Sequence, residues 1–597
     1  MCGIFGYYNF GNPLLSDEQV FLMGDVISHR GPDGMGYYHD AEQGVALGNQ
    51  RLAILDIEHG QQPFYSDDKS IVVVQNGEIF NHVELAKQLE KDGFLCKTHC
   101  DTEVILKIYE RDGIEGIKHL NGMFAISIFD KNLGKLFLIR DRVGEKPYHY
   151  FWDGRSLVFA SEIKSILKVI SKPAVSIKAM EQFFAFNYVP SPITMFENIF
   201  HVQPGHYLEV DNEGVKEKCW WDLSKIECEI KSEEEWIDLF NKTLDDSVKI
   251  RLRSDVPFGA FLSGGVDSST VVGLMAKHMS QPVKTYCIGF DDPKYDESPF
   301  AQEAANRFST EHHLQVVDPD MLSLWKKVLY HCDQPHGDVS FMPTYKVAEM
   351  AAADVKMVLT GDGADELFAG YDKYKTFFNF DDEYKQTEDS TFYKRYAQNL
   401  TLFNHSKRNR LFSKTVSDKL TTHDINEVRL EPMFAKITHM DHINQALYID
   451  TMLLLSGNNL VKPDRMGMAA SIENRAPFLD YRMVELAFKM PGELKLKNGE
   501  TKYIYKKAVS KLIGKHLAYR KKQMFTVPVG DWFKGKLRPL CEDLLLSETT
   551  KARKYFNYEY VQKLFEEHCS GEENYTREIR ALMAFEYWCR IFLDNNN

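Results

Sequence analysis

Short apolar runs of strand length punctuate the first two hundred residues. Ile71–Val74, Phe124–Phe129 and Leu136–Ile139 are separated by Asn-Gly and Leu-Gly-Lys breaks, a pattern that predicts antiparallel sheet with a few helices. From about Asp211 to Glu234 the chain turns polar and charged (DNEGVKEKCWWDLSKIECEIKSEE), which predicts a linker. Strand-length runs then alternate with helical periodicity: Phe258–Leu262, a helix through Val271–Met279, Thr285–Phe290, a helix through Phe300–Phe308, then Leu314–Val317 and Met357–Thr360. Such alternation predicts parallel strands joined by crossover helices, hence a doubly wound α/β sheet. Beyond about residue 375 the pattern is mainly helical. The expected units are therefore 2–210 and 235–597.

Composition narrows the classes. The 597 residues are 44% hydrophobic and 26% charged, with no low-complexity tract or repeat, so a multidomain globular chain is the expectation. A net charge of −14 argues against a duplex-binding surface, which needs an excess of Lys and Arg. The Lys-rich stretch Lys495–Lys522 is the local exception and reads as a solvated helical face. The most apolar segment, Thr451–Ser456 (TMLLLS), is too short to span a bilayer, and no basic segment followed by an apolar core opens the chain. A cytoplasmic protein with reduced thiols is expected among its ten cysteines. Cys96 and Cys100 flank His99 without a second ligand pair, so buried or half-buried thiols are expected there, not a zinc site.

A cysteine directly after the initiator Met becomes a nucleophile and base in one residue once Met1 is removed. Its α-amine, with a reference pKa of about 7.7–8.0, then helps to generate the thiolate. Cys2 alone would be incidental; its company is not. His29-Arg30-Gly31-Pro32-Asp33, Arg51-Leu52 before Asp56, Asn76-Gly77-Glu78-Ile79-Phe80-Asn81-His82 and Asp101-Thr102-Glu103 accompany an MCGIFG start.

This set resembles the glutaminase domain of class II (N-terminal-nucleophile) glutamine amidotransferases, whose fold is a four-layer αββα sandwich. The resemblance covers roughly the first 200 residues. It implies that Cys2 attacks the glutamine amide, with the Asn76 side chain and the Gly77 N–H as oxyanion hole. A glycine donates its backbone N–H at close range and Asn is a neutral donor, which suits that task. Arg51 would take the glutamine carboxylate, and Glu78 and Asp101 its ammonium.

A second constellation follows a predicted strand. Ser263-Gly264-Gly265-Val266-Asp267-Ser268-Ser269 opens a helix, so its backbone N–H groups and hydroxyls face an anion at the positive helix end. Its five specified positions would recur by chance in on the order of one chain in a thousand. Thr360-Gly361-Asp362-Gly363-Ala364-Asp365-Glu366 also follows a strand, Val355–Leu359, and the carboxylates Asp267 and Asp365 suit oxygen ligation of Mg²⁺. No Walker-type loop is present. The Ser-Gly-Gly-x-Asp-Ser loop resembles that of N-type ATP pyrophosphatases. With Asn474-Arg475-Ala476-Pro477-Phe478-Leu479-Asp480 and Glu500-Thr501-Lys502-Tyr503-Ile504, the second half is similar to the synthetase domain of the asparagine synthetase family. That likeness implies an ATP site of Phe261, Leu262, Ser263, Gly264, Gly265, Asp267, Ser268, Ile288, Thr360 and Gly361, with Lys502 stabilising phosphate charge as a point charge.

A carboxylate resists ammonia until its oxygen becomes a phosphate-stabilised leaving group, so adenylation supplies the reason for two sites. The implied reaction hydrolyses glutamine at Cys2, passes ammonia through the interior and captures an acyl-adenylate, releasing AMP and pyrophosphate. Relatives often carry Gly-Glu-Gly where this chain has Gly361-Asp362-Gly363, and Arg where it has Lys506. Asp is one methylene shorter, so Asp362, a catalytic candidate, leaves the acceptor between aspartate, the first choice, and a sugar uronate or cell-wall carboxylate. The segment Asp333-Gln334-Pro335…Asp338…Ser340 also looks like the broader branch of the family. An inactive glutamine-binding protein would lack Cys2, Asn76, Asp267 or Asp365. The implied partners are small molecules (glutamine, ATP, a carboxylate), with no nucleic acid or membrane, and a homodimer is compatible with the likeness.

Overall fold

The computed structural model describes residues 2–9, 15–293, 296–317, 321–378, 389–420, 424–521 and 529–594. Its first half is built on strands β1 (Gly3–Asn9), β2 (Gly34–Asp40), β3 (Val45–Arg51), β4 (Phe64–Tyr65), β5 (Ile71–Ile79), β6 (Gly122–Asp130), β7 (Lys135–Arg140), β8 (His149–Trp152), β9 (Ser156–Ala160), β10 (Ile199–His201), β11 (His206–Asp211) and β12 (Gly214–Cys219). They form two six-stranded antiparallel sheets, ordered β10-β8-β9-β1-β3-β2 and β12-β11-β7-β6-β5-β4. Alternation along β1 shows how the layers stack. Ile4 and Tyr8 pack with Val72, Val74 and Phe129 of the other sheet. Phe5 and Tyr7 face the opposite way, against Val20 and Met23 of helix Asp17–Asp25. Helix Asp101–Asp112 covers the far face of the second sheet with Val104, Ile105 and Ile108. The result is the expected αββα sandwich.

The polar stretch read as a linker contains β12, which pairs antiparallel with β11 from Asp211↔Gly214 to His206↔Cys219. Lys216, Glu217 and Lys218 are exposed on this edge, where charged side chains suit a strand with a solvated margin. The hairpin therefore straddles the boundary expected near residue 210. Helix Glu233–Arg251 follows, opened by a capping box between Ser232 and Glu235.

The second half carries β13 (Phe258–Phe261), β14 (Lys284–Phe290), β15 (Glu311–Val317), β16 (Met357–Leu359) and β17 (Glu473–Arg475), all parallel, ordered β15-β14-β13-β16-β17. Helices Val266–His278 and Ser298–Phe308 are the crossovers. The order reverses at β13, flanked by β14 and β16, which opens a crevice at their carboxyl ends. β17 was not anticipated, since three residues within a helical region show no period. Helix Thr576–Cys589 returns to the first half, where Phe585 lies 5.5 Å from Phe184 by ring centroid, so the two halves share one core cluster.

One further reading changes. Lys495 is not on a solvated face: it is fully buried and donates to Asn444 Oδ1 at 2.7 Å. Lys522 lies outside the described residues. The TMLLLS run sits in a π-helical segment, Asp450–Asn459, and among the described residues no helix is long and apolar enough to cross a membrane. Cys100 is buried and Cys96 half-buried, both as free thiols.

Candidate active site

Cys2 leads into β1 and is 6% exposed. Its backbone N–H donates to Asn76 Oδ1 at 3.1 Å, and Asn76 on β5 is itself buried. Burial pushes the Cys2 thiol up, while hydrogen bonds from the Leu52 backbone and the Asn49 side chain pull the other way. Gly77 has φ of 155°, and a Cβ there would lie 2.1 Å from the Met123 carbonyl oxygen, so β5 meets β6 at a point only glycine tolerates. A cavity of about 330 Å³ is lined by Cys2, Arg51, Gly77, Glu78 and Asp101 among others, so the structure brings together the residues singled out in the first half.

Each wall of this cavity is held from behind. Arg51 ends β3 and donates to the carbonyls of Asp56 at 2.7 Å, Leu55 at 3.0 Å and Ile57 at 3.1 Å, which fixes the guanidinium edge. Asp101 opens its helix and accepts from the Ile79 N–H at 2.8 Å and Gln75 Nε2 at 3.0 Å. Glu78 Oε2 is paired at 2.9 Å with Arg475 of β17, and its buried Oε1 has no hydrogen-bond partner among the described residues. Burial, then Asp101, raises the Glu78 carboxyl well above the usual range, against Arg475. The second half thus holds one lining residue of the first cavity from behind.

At the carboxyl ends of β13 and β16 two loops touch. A Cβ on Gly361 would come within 2.6 Å of Asp267 Cβ, which packs the Thr360 segment onto Ser263–Ser268. Leu262 N–H donates to Tyr286 O at 2.9 Å, and Leu262 and Ile288 are buried beside half-buried Phe261. Ser268 Oγ accepts from the Ser263 N–H at 3.2 Å, and Ser263 Oγ accepts from the Gly265 N–H at 3.4 Å, which shapes the turn around Gly264. Thr360 Oγ1 donates to Asp362 Oδ2 at 2.7 Å, and burial raises the Asp362 carboxyl.

Lys502, in the left-handed conformation at φ 55°, reaches Asp267 at 2.6 Å and Asp365 at 2.8 Å. Against the burial that opposes it, these two carboxylates hold its ammonium above the usual range. The residues expected to hold metal and phosphate therefore form one triad, with the lysine between the acids. Among the described residues no group of three or more His, Cys, Asp or Glu is placed to hold a metal. Two acids converging on one cation nevertheless fit a hard divalent ion with phosphate oxygens completing its shell.

A half-open pocket next to the second region is lined by Glu145 and Lys146 from the first half and by Thr360, Asp362, Asp464 and Asn474 from the second. Beside it runs a buried charge network. Arg30 donates to Cys2 O at 3.1 Å and to Glu162 at 3.0 Å, and it grips Asp464 at 2.9 and 3.0 Å. Arg465 extends it to Glu162 at 3.0 Å and Asp333 at 3.3 Å. Of these residues Arg30 alone lies in a motif visible along the chain, and Glu162, Asp464 and Arg465 have no marked sequence context.

Similarity to known proteins agrees with this geometry. The family described as glutamine amidotransferase domain matches residues 1–221, and that described as asparagine synthase matches residues 239–590. Asparagine synthetase (glutamine-hydrolyzing) 1 of Bacillus subtilis is 32% identical over 628 aligned positions, spanning 100% of this chain and 97% of that protein. Asparagine synthetase (glutamine-hydrolyzing) 3 of the same organism is 30% identical over 89% of each chain. A Penicillium rubens protein named amidase chyE is 29% identical over 95% of this chain and 94% of its own. With an asparagine synthase match over more than half its length, a glutamine amidotransferase match before it and a full-length relative above 30% identity, the chain belongs to the asparagine synthase family of glutamine-hydrolysing carbon–nitrogen ligases.

Proposed function

We propose that this protein hydrolyses glutamine at Cys2 and transfers the ammonia to a carboxylate activated by ATP, most simply L-aspartate, giving the amide, AMP and pyrophosphate. The observation that carries this reading is the pair of built sites, with a pocket lined by both halves beside the second. In the first, Asn76 and the Gly77 N–H stabilise the oxyanion formed as the Cys2 sulfur attacks the amide carbon, while Arg51, Glu78 and Asp101 hold the two charged ends of glutamine. Ammonia then leaves toward the pocket lined by both halves. There the Glu145 carboxyl is pushed up to about 8 by burial and then by Asp141, so near neutral pH it is largely uncharged and does not trap ammonium.

In the second site the acceptor oxygen attacks the α-phosphorus, pyrophosphate departs, and ammonia displaces AMP from the acyl-adenylate. Ser263–Ser268 cradles phosphate, Phe261, Leu262, Ile288, Thr360 and Gly361 hold the adenosine, and Lys502 moves from its two acids to the phosphates. Mg²⁺, when bound to Asp267 and Asp365, supplies neutralisation of phosphate charge. Asp362 stands where the acceptor and ammonia meet.

The test uses purified enzyme with Mg-ATP and a panel of carboxylates including aspartate and uronic-acid sugars, scored by pyrophosphate release. Cys2→Ala should abolish glutamine-supported turnover and retain turnover with ammonium salt. Loss of both would sink the division of labour, and glutamate formation with no pyrophosphate from any acceptor would sink the synthetase assignment.

A further inference from the structure

The segment that precedes β13 reaches across to the first half and touches the loop that follows Arg51. Asp255 Oδ2 accepts from the Asp56 N–H at 2.8 Å, and the Asp255 N–H donates to Ile54 O at 3.0 Å. One strand over, Lys356 stands directly before β16 and pairs with the two oxygens of Asp33 at 2.8 and 2.9 Å. Asp33 in turn accepts from the Ala53 N–H at 2.8 Å and donates its own N–H to Arg51 O at 3.0 Å. β13 and β16 are parallel neighbours, with Phe258 opposite Met357. The two strands whose carboxyl ends carry the Ser263 and Thr360 loops therefore hold the Arg51 loop at their amino ends: Lys356 through Asp33 at its base, Asp255 at its turn.

The conformation of this turn decides where the Arg51 guanidinium points, because its three carbonyl partners, Leu55, Asp56 and Ile57, are consecutive residues of it. Asp56 has φ of 45°, a left-handed conformation that a non-glycine residue keeps only where its surroundings hold it. Its carboxylate accepts from the His99 N–H at 2.8 Å and the His59 N–H at 3.1 Å, and its carbonyl accepts from the Gly60 N–H at 2.8 Å. The loop is drawn close around the guanidinium: a Cβ on Gly60 would lie 2.4 Å from Arg51 Nη2 and 2.7 Å from Asp56 O. Core packing does not hold the tip, since Ile57, Glu58 and His59 are exposed. Hydrogen bonds do, and the one from the Asp56 N–H to Asp255 comes from the second half.

We propose that Asp255 is a positioning residue of the glutamine site: from the second half it keeps Asp56 in its left-handed turn, and so keeps the guanidinium edge of Arg51 aimed at the glutamine carboxylate. This rests on Arg51 being the group that receives that carboxylate. Without the Asp255 side chain the Asp56 N–H loses its acceptor, and the loop populates turns in which the three carbonyls no longer hold Arg51. Glutamine then binds the held fraction alone, and its apparent affinity falls by that fraction. At saturation glutamine draws the loop back, and the rate at Cys2 is that of the intact enzyme. The signature is a raised KM with kcat kept.

The test is a glutaminase assay on the full-length enzyme, with glutamine varied and glutamate read, beside a thermal melt. Asp255→Ala should raise the glutamine KM about 3- to 10-fold, the net contribution of one hydrogen bond, with kcat within about twofold. The exposed position of Asp255 and its backbone bond to Ile54 leave the melt of this variant unchanged. Asp255→Asn keeps an acceptor oxygen for the Asp56 N–H and should return the KM to within about twofold of wild type. Arg51→Met sets the scale and should raise the KM at least about tenfold, the loss of a charge-assisted contact. An unchanged or lowered KM in Asp255→Ala, or an Asn variant as impaired as the Ala one, overturns the proposal. A fall in kcat in step with a lowered melt makes Asp255 a merely structural residue and overturns it too. If Arg51→Met leaves the KM unaltered, the reading of Arg51 on which the proposal stands fails first; if Arg51→Met raises it and Asp255→Ala does not, the proposal alone falls.

Discussion

Replacing Arg475 with Met should damage the glutamine site from the other half of the protein. Arg475 is fully buried and holds Glu78 at 2.9 Å and Glu473 at 2.6 Å, and it donates to the carbonyls of Arg251 at 2.9 Å and Arg253 at 2.7 Å. Methionine matches much of its volume but none of its donors. Breaking one buried ion pair by removing a partner costs about 3–5 kcal/mol, because the remaining charge is stranded. At about 2–4 °C per kcal/mol for a domain of roughly 200 residues, the first thermal transition should fall by about 6–20 °C. The deficit should shrink as pH falls. Glu78 is already raised by burial and Asp101, and without Arg475 it rises further, so protonation relieves the stranded charge.

The kinetic signature separates this from simple loss of fold. Glu78 lines the cavity with its Oε2 held by Arg475, so below the transition the variant should show a raised glutamine KM in a glutaminase assay. Ammonium-supported turnover at the same temperature should change far less. In a double-mutant cycle with Glu78→Gln the two changes should be non-additive by about 0.5–3 kcal/mol, as expected of residues in contact. An R475M enzyme with unaltered transition and glutamine KM would refute the reasoning.

Other expectations follow from single contacts. Gly77→Ala should cut glutamine hydrolysis by about 10²–10³-fold, the usual loss for one oxyanion donor, since its Cβ would meet Met123 O at 2.1 Å and shift the N–H; ammonium-supported turnover should persist. A variant retaining glutaminase activity would remove Gly77 from that task. For Lys495, burial pushes the ammonium down to about 7, against Asp441, whereas the unfolded chain keeps it protonated to about 10.4. Between those values the unfolded state binds more protons, so this residue makes stability rise with pH by at most about 1.4 kcal/mol per unit. Lys495→Met should flatten that slope in urea unfolding from pH 7 to 9, and parallel curves for wild type and variant would contradict the burial argument.

The αββα half was legible because alternation along strands such as β1 sorts side chains between two cores, and this period survives in the linear sequence. The crossover pattern gave the parallel sheet for the same reason. What stayed hidden was short or distant. β17 has three residues and β12 is polar, so neither carries a strand period, yet β17 delivers Arg475 to Glu78 across 397 positions of sequence. The lysine-rich stretch misled because composition records charge and not burial, and Lys495 is enclosed where a solvated face was expected.

Sequence by itself determined the chemistry available: a cysteine directly after Met1, an Asn-Gly pair following a strand-length apolar run, a Gly-rich loop and acids after a second strand. These are local patterns, since the backbone geometry each needs is written in a few consecutive residues. Only the tertiary structure decided how they act together. It placed Lys502 between Asp267 and Asp365 and tied Cys2 through Arg30 to Asp464. Pairing of charges depends on which side chains the packed core brings within a few ångströms, and that distance is set by the whole fold.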